Sequence, residues 1–349
     1  MHRFQAVTDP RAPMQPQEPS PLLELTSATA FDEHVSEGAQ PAVLRGAASH
    51  WDSVRAARMG NTAFADYLRK RDTEHPVYTI LGQPSIRGRF GFDADTRGVN
   101  YAARQTPLGQ VLSHLNDAAA GGYAIAVQAA PVRRVLRNWD KENPNPWLPA
   151  SVEPTMWVSM ASRVAPHSDV HDNIAVVVAG ARRFILYPPE QIANLYLGPL
   201  LSSPGGVPTS SVDIWNPDLK RHPRYAQAAA SARESTLYPG DIVFIPALWW
   251  HAVESLQGLN VLVNFWFGEE DQQEASLLDA MSHAILAFSQ LPAQKRERWR
   301  QYFEHLVFRT DGDPAAHLPD DVRDLLSTPS EEQAGQTRQR IARQLLDES

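Results

Sequence analysis

The stretch Val164-Ala-Pro-His-Ser-Asp-Val-His-Asp-Asn-Ile-Ala-Val-Val-Val178 joins a group of polar side chains to a continuous apolar run rich in Val and Ile. An apolar run of this length is typical of a buried strand. Further short runs of the same kind, separated by Gly and Pro, occur at Met156–Met160, Arg183–Tyr187, Asp241–Ile245 and Asn260–Phe267. Several short strands with this punctuation predict an antiparallel sandwich or barrel between residues 155 and 267.

The rest of the chain divides around this β-rich region. Residues 1–21 form a Pro-rich N-terminus that we expect to be flexible, and residues 22–274 form the main domain. The first half of that domain mixes helices and strands, predicted at 26–38, 41–46, 77–81, 107–119 and 123–127. Residues 275–349 carry two apolar stripes at helical spacing, which either cover the open end of the barrel or pair with a second copy. We predict a homodimer built by these helices.

Composition excludes several classes of protein. A formal charge of −8 and a pI of about 5.8 argue against a nucleic-acid partner, because phosphate binding needs clustered Lys and Arg. The chain has no Cys, so disulfides and thiolate metal sites are excluded and any metal must bind His, Asp or Glu. No apolar stretch approaches the roughly 20 residues that span a bilayer. We therefore expect a cytoplasmic protein with no membrane partner.

The polar group in the opening stretch has the spacing of metal ligands. In an extended segment, His167 and Asp169 point to the same face, so an imidazole and a carboxylate can converge on one ion. His251 follows the apolar strand at 241–245 and an aromatic pair, which places it at the lip of a hydrophobic pocket. Two His and one carboxylate leave three positions of an octahedral ion open, as in non-haem Fe(II) oxygenases.

Each ligand also has a simpler interpretation. A His-x-Asp triplet alone is more often a solvated surface pair, and His251 alone could be a core histidine beside Trp249 and Trp250. Their occurrence together, each next to a β-type run, favours the metal site. His171 lies four residues after His167, and on a strand it would share its face. We interpret His171 as a neighbour of the metal shell or a substrate-facing group, with ligation as the alternative.

Four ordered motifs resemble the cupin-like, JmjC-type 2-oxoglutarate oxygenases, a family that includes the asparaginyl hydroxylase of hypoxia-inducible factor and bacterial relatives. These motifs are His167–Asn173, Val178–Pro189, Pro239–His251 and Asn260–Trp266, and Pro41–Gly46 with Trp51 resembles the family's entry strand. The resemblance implies a double-stranded β-helix that uses Fe(II), 2-oxoglutarate and O₂, with hydroxylation coupled to decarboxylation of 2-oxoglutarate to succinate. It assigns the metal ligands to His167, Asp169 and His251.

The resemblance also assigns cofactor-binding positions to Asn173, Arg182 and Asn264, and we expect Trp266, at the end of the last motif, to bind the cofactor as well. Arg182 stands where better-studied relatives have a Lys that binds the distal carboxylate of 2-oxoglutarate. Arg keeps the charge and can bind a carboxylate through two parallel hydrogen bonds. Alternation along the strand predicts that Arg182 faces the barrel interior and Arg183 the other side; the alternative is a solvated Arg pair.

Two positions depart from the family pattern. Val164 replaces a Thr and Ala126 replaces a Tyr, so two hydroxyls that would bind the co-substrate are missing.

The residues of the predicted site are compatible with three functions. The first is a hydroxylase acting on a protein side chain or a small metabolite. The second is a non-catalytic metal-binding cupin that senses a ligand or binds a partner, and the third is a metal-dependent isomerase or hydrolase. The third needs a general base, for which Asp172 and Glu254 are the candidates.

Two features bear on the substrate. A groove lined by Trp249, Trp250 and Trp266 could hold a peptide, although packing is the commoner role of core Trp. The loop from Leu200 to Asp218 is rich in Ser, Pro and Gly, and its length suggests an exposed, substrate-facing segment.

Overall fold

The computed structural model describes residues 18–37, 40–256, 258–268, 274–327 and 329–347. The strands are β1 Ser20–Pro21, β2 Leu23–Leu25, β3 Ala42–Leu44, β4 Pro76–Gly82, β5 Arg89–Phe90, β6 Tyr101–Pro107, β7 Ala124–Pro131, β8 Pro154–Ser159, β9 Ser162–Ser168, β10 Asp172–Ala179, β11 Arg182–Tyr187, β12 Arg233–Leu237, β13 Ile242–Ile245, β14 Trp250–Ser255 and β15 Asn260–Phe267. The α-helices are α1 Ala28–Glu37, α2 Asp52–Arg58, α3 Asn61–Arg71, α4 Leu108–Ala120, α5 Val132–Val135, α6 Trp139–Glu142, α7 Tyr225–Ser231, α8 Glu274–Phe288, α9 Ala293–Leu306 and α10 Glu331–Asp347.

The strands form two sheets. One has six strands in the order β1-β12-β11-β14-β9-β5, and the other has nine in the order β2-β3-β13-β10-β15-β8-β7-β4-β6. The central pairs are antiparallel, and from β9 to β15 consecutive strands lie in different sheets, except that β11 and β12 pair with each other in the six-stranded sheet. This is the jelly-roll arrangement of a cupin core, so the fold class predicted from the sequence is confirmed.

The two sheets enclose an apolar core. Val177 of β10 and Val243 of β13 pack against Phe184 and Leu186 of β11, and all four are almost fully buried. The alternate residues of β10, such as Val176, point to the opposite face of their sheet. Because both faces of β10 are covered, the strand is an apolar run rather than an alternating pattern.

The outer face of each sheet is covered by other elements. On the nine-stranded sheet, Phe31, Trp51 and Leu68 of the N-terminal half pack in one large cluster with Val176. On the six-stranded sheet, Tyr225 of α7 packs with Trp250 of β14. The sheets are thereby held rigidly, which fixes the positions of side chains between them.

The structure corrects some details of the sequence interpretation and agrees with others. Ser20 and Pro21, expected in the flexible N-terminus, pair in parallel with β12; the predicted helix end at Gly38 lies outside the described residues. Strands β1, β2, β5, β6, β9, β12 and β14 were not predicted. The segment 200–218 contains no strand and no α-helix, as expected for a loop.

Residues from Gln273 onward form a separate compact unit. Helices α8 and α9 were predicted from their apolar stripes, and α10 was not. Phe288 contacts Trp299 and Phe303 within this unit, at ring-centroid distances of 5.1 and 5.3 Å. Trp299 nevertheless remains 45% exposed. Among the helices that the structure describes, none combines the length and the apolar character needed to cross a bilayer.

Candidate metal centre and co-substrate cavity

The two histidines of the predicted triad lie opposite each other on neighbouring strands. His167 is near the end of β9, His251 is near the start of β14, and the antiparallel register pairs them directly. Their ring centroids are 4.2 Å apart. Opposed residues of an antiparallel pair project to the same face, so the backbone ladder itself brings the two imidazoles together.

The segment that carries Asp169 is held by the turn that precedes β14, the strand paired with β9. Asp169 follows β9, and its carbonyl accepts a hydrogen bond of 2.8 Å from the N–H of Leu248. Leu248 has a φ of 63°, a left-handed conformation that a bulky residue adopts only when its surroundings impose it. The side chain of Asp172 accepts a hydrogen bond from the N–H of Ala247 in the same turn, at 2.8 Å. The segment after β9 and the turn before β14 therefore hold the ligands in register.

The ligand atoms of His167, Asp169 and His251 all lie within 4.8 Å of one another. The Nδ1 atom of His167 is 2.9 Å from the carbonyl of Ala165, and that of His251 is 3.1 Å from the carbonyl of Trp249. Each Nδ1 therefore carries the proton, which leaves Nε2 with a free lone pair for an ion. The donor set fits a divalent transition metal with open positions.

Two interactions bear on the capacity of these side chains to hold a metal ion. Burial, with a smaller contribution from His167, lowers the pKa of His251 to about 4, while the charge of Asp169 opposes this change. The ring is thus neutral at pH 7, as a ligand must be. The indole N–H of Trp266 donates to Oδ2 of Asp169 at 3.0 Å and orients the carboxylate. Trp266, predicted to bind the cofactor, contacts a metal ligand.

The triad opens into a cavity of about 370 Å³, within the usual size range of small-molecule sites. Every predicted metal and cofactor residue lines it. Its walls otherwise consist mainly of apolar and aromatic side chains: Tyr78, Ile80, Phe90, Tyr101, Trp157, Val164, Phe184, Val253 and Leu262. The loop after residue 200 contributes Pro204, Gly205, Val207 and Thr209, so it borders the cavity as expected.

Arg182 is a buried cation without a carboxylate partner in the part of the chain that the structure describes. Its residue exposure is 5%, its Nη2 donates to the carbonyl of Trp157 at 3.3 Å, and its Nε has no hydrogen-bond partner. Burial alone lowers its pKa to about 9. Arg183 points to the other side and pairs with Glu254 at 3.3 Å. The predicted alternation is confirmed, and a cation faces the same cavity as the triad.

Two amides, those of Asn173 and Asn264, line the same cavity as the cation and the triad. Asn264 receives the indole N–H of Trp157 on Oδ1 at 2.7 Å and donates from Nδ2 to Oδ1 of Asn173 at 3.1 Å. These bonds fix the orientation of both amides. The NH₂ group of Asn173 makes no hydrogen bond to the described residues, so it is available to a carboxylate.

Other predicted groups lie elsewhere. His171 sits in a bend between β9 and β10, not on a strand, and it is neither among the converging ligands nor in the cavity lining. Trp249 and Trp250 pack in separate apolar clusters, so the groove of three Trp residues is not formed. Glu254 pairs with Arg163 at 2.7 Å in addition to Arg183. Neither Glu254 nor Asp172 faces the cavity as a free base.

The two departures from the family pattern differ in position. Val164 lines the cavity, whereas Ala126 lies in a small cluster with Ile80 and Phe90. Tyr101 packs against this cluster, and its ring lies edge-to-face with the ring of Phe90 at a centroid distance of 5.9 Å. Tyr101 was not expected from sequence, because it begins the mostly polar run of β6, which carries no burial pattern.

The fold and the site together define a cupin with a cluster of two His and one Asp beside a cavity that is also lined by the buried Arg182. The chain matches the family model "Cupin-like domain" over residues 27–273, and it belongs to that family. The JmjC-type resemblance drawn from the motifs is confirmed by the curated relatives, which are members of the JmjC-type 2-oxoglutarate oxygenase family.

Three of these relatives illustrate the range. The chain is 28% identical over 278 residues to "Lysine-specific demethylase JMJ31" of Arabidopsis thaliana, which covers 69% of this chain and 48% of that protein. It is 33% identical over 136 residues to "HSPB1-associated protein 1" of Homo sapiens, covering 38% and 27%. It is 31% identical over 174 residues to "tRNA wybutosine-synthesizing protein 5" of Danio rerio, covering 43% and 50%. The chain thus spans half or less of the length of these relatives.

Proposed function

We propose that this protein is an Fe(II)- and 2-oxoglutarate-dependent hydroxylase acting on a protein side chain or a small metabolite. The observation that carries the proposal is Arg182, a buried guanidinium that faces the same cavity as the triad and has no counter-ion among the described residues. Burying a cation without a partner is costly, and the cost is offset when an anionic ligand binds. A ligand with one carboxylate at Arg182 and a second metal-binding end is what 2-oxoglutarate provides.

Each group of residues at the site would have a separate role in the reaction. His167, Asp169 and His251 would hold the ion, and Trp266 would keep the carboxylate of Asp169 oriented. Fe(II) in this site would supply O₂ activation coupled to decarboxylation of 2-oxoglutarate to succinate. Arg182 binds the distal carboxylate.

The amides and the cavity wall complete the site. Asn173, held by Asn264, offers its NH₂ group to the co-substrate. The aromatic and aliphatic wall excludes water, which strengthens these polar contacts and protects the reaction from side products.

The experiment measures succinate released by the purified protein with Fe(II), 2-oxoglutarate and O₂, first without a substrate and then with candidates. We expect slow release by the parent protein and none by Asp169→Ala. Calorimetry with Mn(II) would separately test metal binding, which Asp169→Ala should abolish. Unchanged metal affinity in that variant would show that the triad is not the metal site.

The cavity also supports a second candidate function, a non-catalytic cupin that binds a metal and an acidic ligand. The observation in its favour is Val164, which lines the cavity without the hydroxyl that the family pattern provides. In that case the Mn(II)-loaded protein would bind 2-oxoglutarate in calorimetry, but no succinate would form with Fe(II) and O₂ under any condition.

A further inference from the structure

The strand β6 ends the nine-stranded sheet next to the cavity. It pairs with β4 on one side through seven consecutive residue pairs without a register shift, and no strand in the described ranges pairs with its other side. The residues from Ala102 to Gln105 are exposed. The other strands at sheet edges, β1, β2 and β5, have only two or three residues each. Short edge strands are a common protection against added strands, and β6 lacks that protection.

Two prolines determine which backbone groups of β6 face outward. Pro76 and Pro107 are directly opposed, and neither has an N–H, so they cannot form a hydrogen-bonded pair. Hydrogen-bonded and non-hydrogen-bonded pairs alternate along an antiparallel ladder. The N–H and C=O groups of Tyr101, Ala103 and Gln105 therefore point away from β4, toward the free edge.

The same alternation connects this edge with the cavity. Tyr101, Ala103 and Gln105 are opposed to Gly82, Ile80 and Tyr78. Opposed residues share a face, and Tyr78, Ile80 and Tyr101 all line the cavity. The cavity wall thus continues along small and polar side chains to the open backbone of β6. A strand added at this edge would direct every second side chain to the face on which the cavity opens.

We infer that the free edge of β6 binds an extended segment of a polypeptide substrate, which pairs with the backbone at Ala103 and Gln105 and presents a side chain to the cavity. This inference rests on the proposed function, because it assigns a substrate class to the same cavity. Unpaired N–H and C=O groups in a row recognise the backbone of another chain, whatever its sequence. A small metabolite has no peptide backbone that could pair with this row of groups.

The test compares two substitutions at one residue. Ala103→Pro removes the outward N–H and leaves the bonds to β4 intact, whereas Ala103→Ser keeps the N–H with a similar side-chain volume. Thermal unfolding would verify that both variants fold. The probe is a library of random 12-residue peptides screened against the Mn(II)-loaded parent with 2-oxoglutarate, and the tightest peptides are then measured on both variants by fluorescence anisotropy.

We expect these peptides to bind the parent and Ala103→Ser equally and Ala103→Pro at least tenfold more weakly. Hydrogen exchange at the amides of Ala103 and Gln105 should slow when a peptide binds. Equal binding to all three proteins, or protection confined to other segments, would show that β6 is not the docking edge. A library that yields no binder would overturn the polypeptide class and favour a metabolite.

The outcome is separable from that of the hydroxylase proposal. Peptide binding at β6 by a protein that releases no succinate would refute the hydroxylase proposal and leave the docking edge supported. Succinate release by a protein that binds no peptide would support the hydroxylase proposal and refute the docking edge.

Discussion

Replacing Arg182 with Ala should separate co-substrate binding from metal binding. Hydrogen bonds to charged groups contribute about 1.5–3 kcal/mol, and truncating one partner of a buried charge pair costs about 2–5 kcal/mol. Arg182 has no anionic partner among the described residues. The substitution should therefore act on binding only by removing the bond between Arg182 and the carboxylate of 2-oxoglutarate. We expect the Kd for 2-oxoglutarate to rise roughly 30-fold to several thousandfold, with Mn(II) affinity unchanged, in calorimetry.

The burial of Arg182 should also affect the stability of the folded protein. Its folded-state pKa of about 9 lies below the value in the unfolded chain, so above pH 9 the unfolded state binds more protons and stability rises with pH. At pH 7 the full desolvation cost is present. We therefore expect Arg182→Met to raise the thermal midpoint of the ligand-free protein and to remove the stabilisation that 2-oxoglutarate gives the parent.

Arg183→Ala is the matched control. Arg183 is adjacent in sequence but pairs with Glu254 and Glu234 on the opposite side of the strand, so it should leave co-substrate binding unchanged and cost at most about 1 kcal/mol of stability. If Arg182→Ala bound 2-oxoglutarate as tightly as the parent protein, the ligand of this cavity would not be a dicarboxylate held by Arg182.

Three further outcomes test other parts of the molecule. Trp266→Phe removes the N–H that orients Asp169, and we expect metal affinity to fall about 10- to 100-fold in calorimetry, with an unchanged affinity counting against that role. Val164→Thr returns a hydroxyl to the cavity wall and should tighten 2-oxoglutarate binding by about 1 kcal/mol; weaker binding would mean that the hydroxyl has no partner there. Helices α8 and α9 should form a homodimer, so light scattering at micromolar concentration should give twice the chain mass, and Trp299→Glu should reduce it; a monomer mass for the parent would contradict the prediction.

The sequence predicted best those strands that are buried on both faces. Ile174–Val178 and Asn260–Phe267 are nearly continuous apolar runs, because sheet partners and covering elements surround them. Strands β9 and β12 escaped prediction since they are largely polar and include several partly buried positions without regular alternation. Helix α10 escaped prediction because it consists mainly of charged and polar residues, contains Gly335, and has only Ile341, Leu345 and Leu346 as large apolar side chains.

The convergence of His167, Asp169 and His251 was predictable because His and Asp are chemically distinctive and each lies close to an apolar run, at 174–178 or 241–245, that was recognised as a strand. The position of His171 was not predictable in the same way, because the chain bends after Asp169 and does not continue as a strand. Side chains of the cavity wall that come from remote strands, such as Tyr78 and Tyr101, leave no local signal, since only the sheet order brings them to the site.

The register that opposes His167 and His251 would also govern when the protein could take up the proposed metal ion. The two residues belong to segments that are distant in sequence, and pairing of distant strands is slower than local helix formation. Metal capture during refolding should therefore be a late event, and it reports closure of the β9–β14 ladder. Once closed, the ladder maintains the spacing of the imidazoles by itself, so a chelator would remove the ion without melting the barrel. The folded protein could then lose and regain the ion repeatedly. Its metal content in the cell would depend on the concentration of free ions at any time, and not only on the concentration when the chain folded.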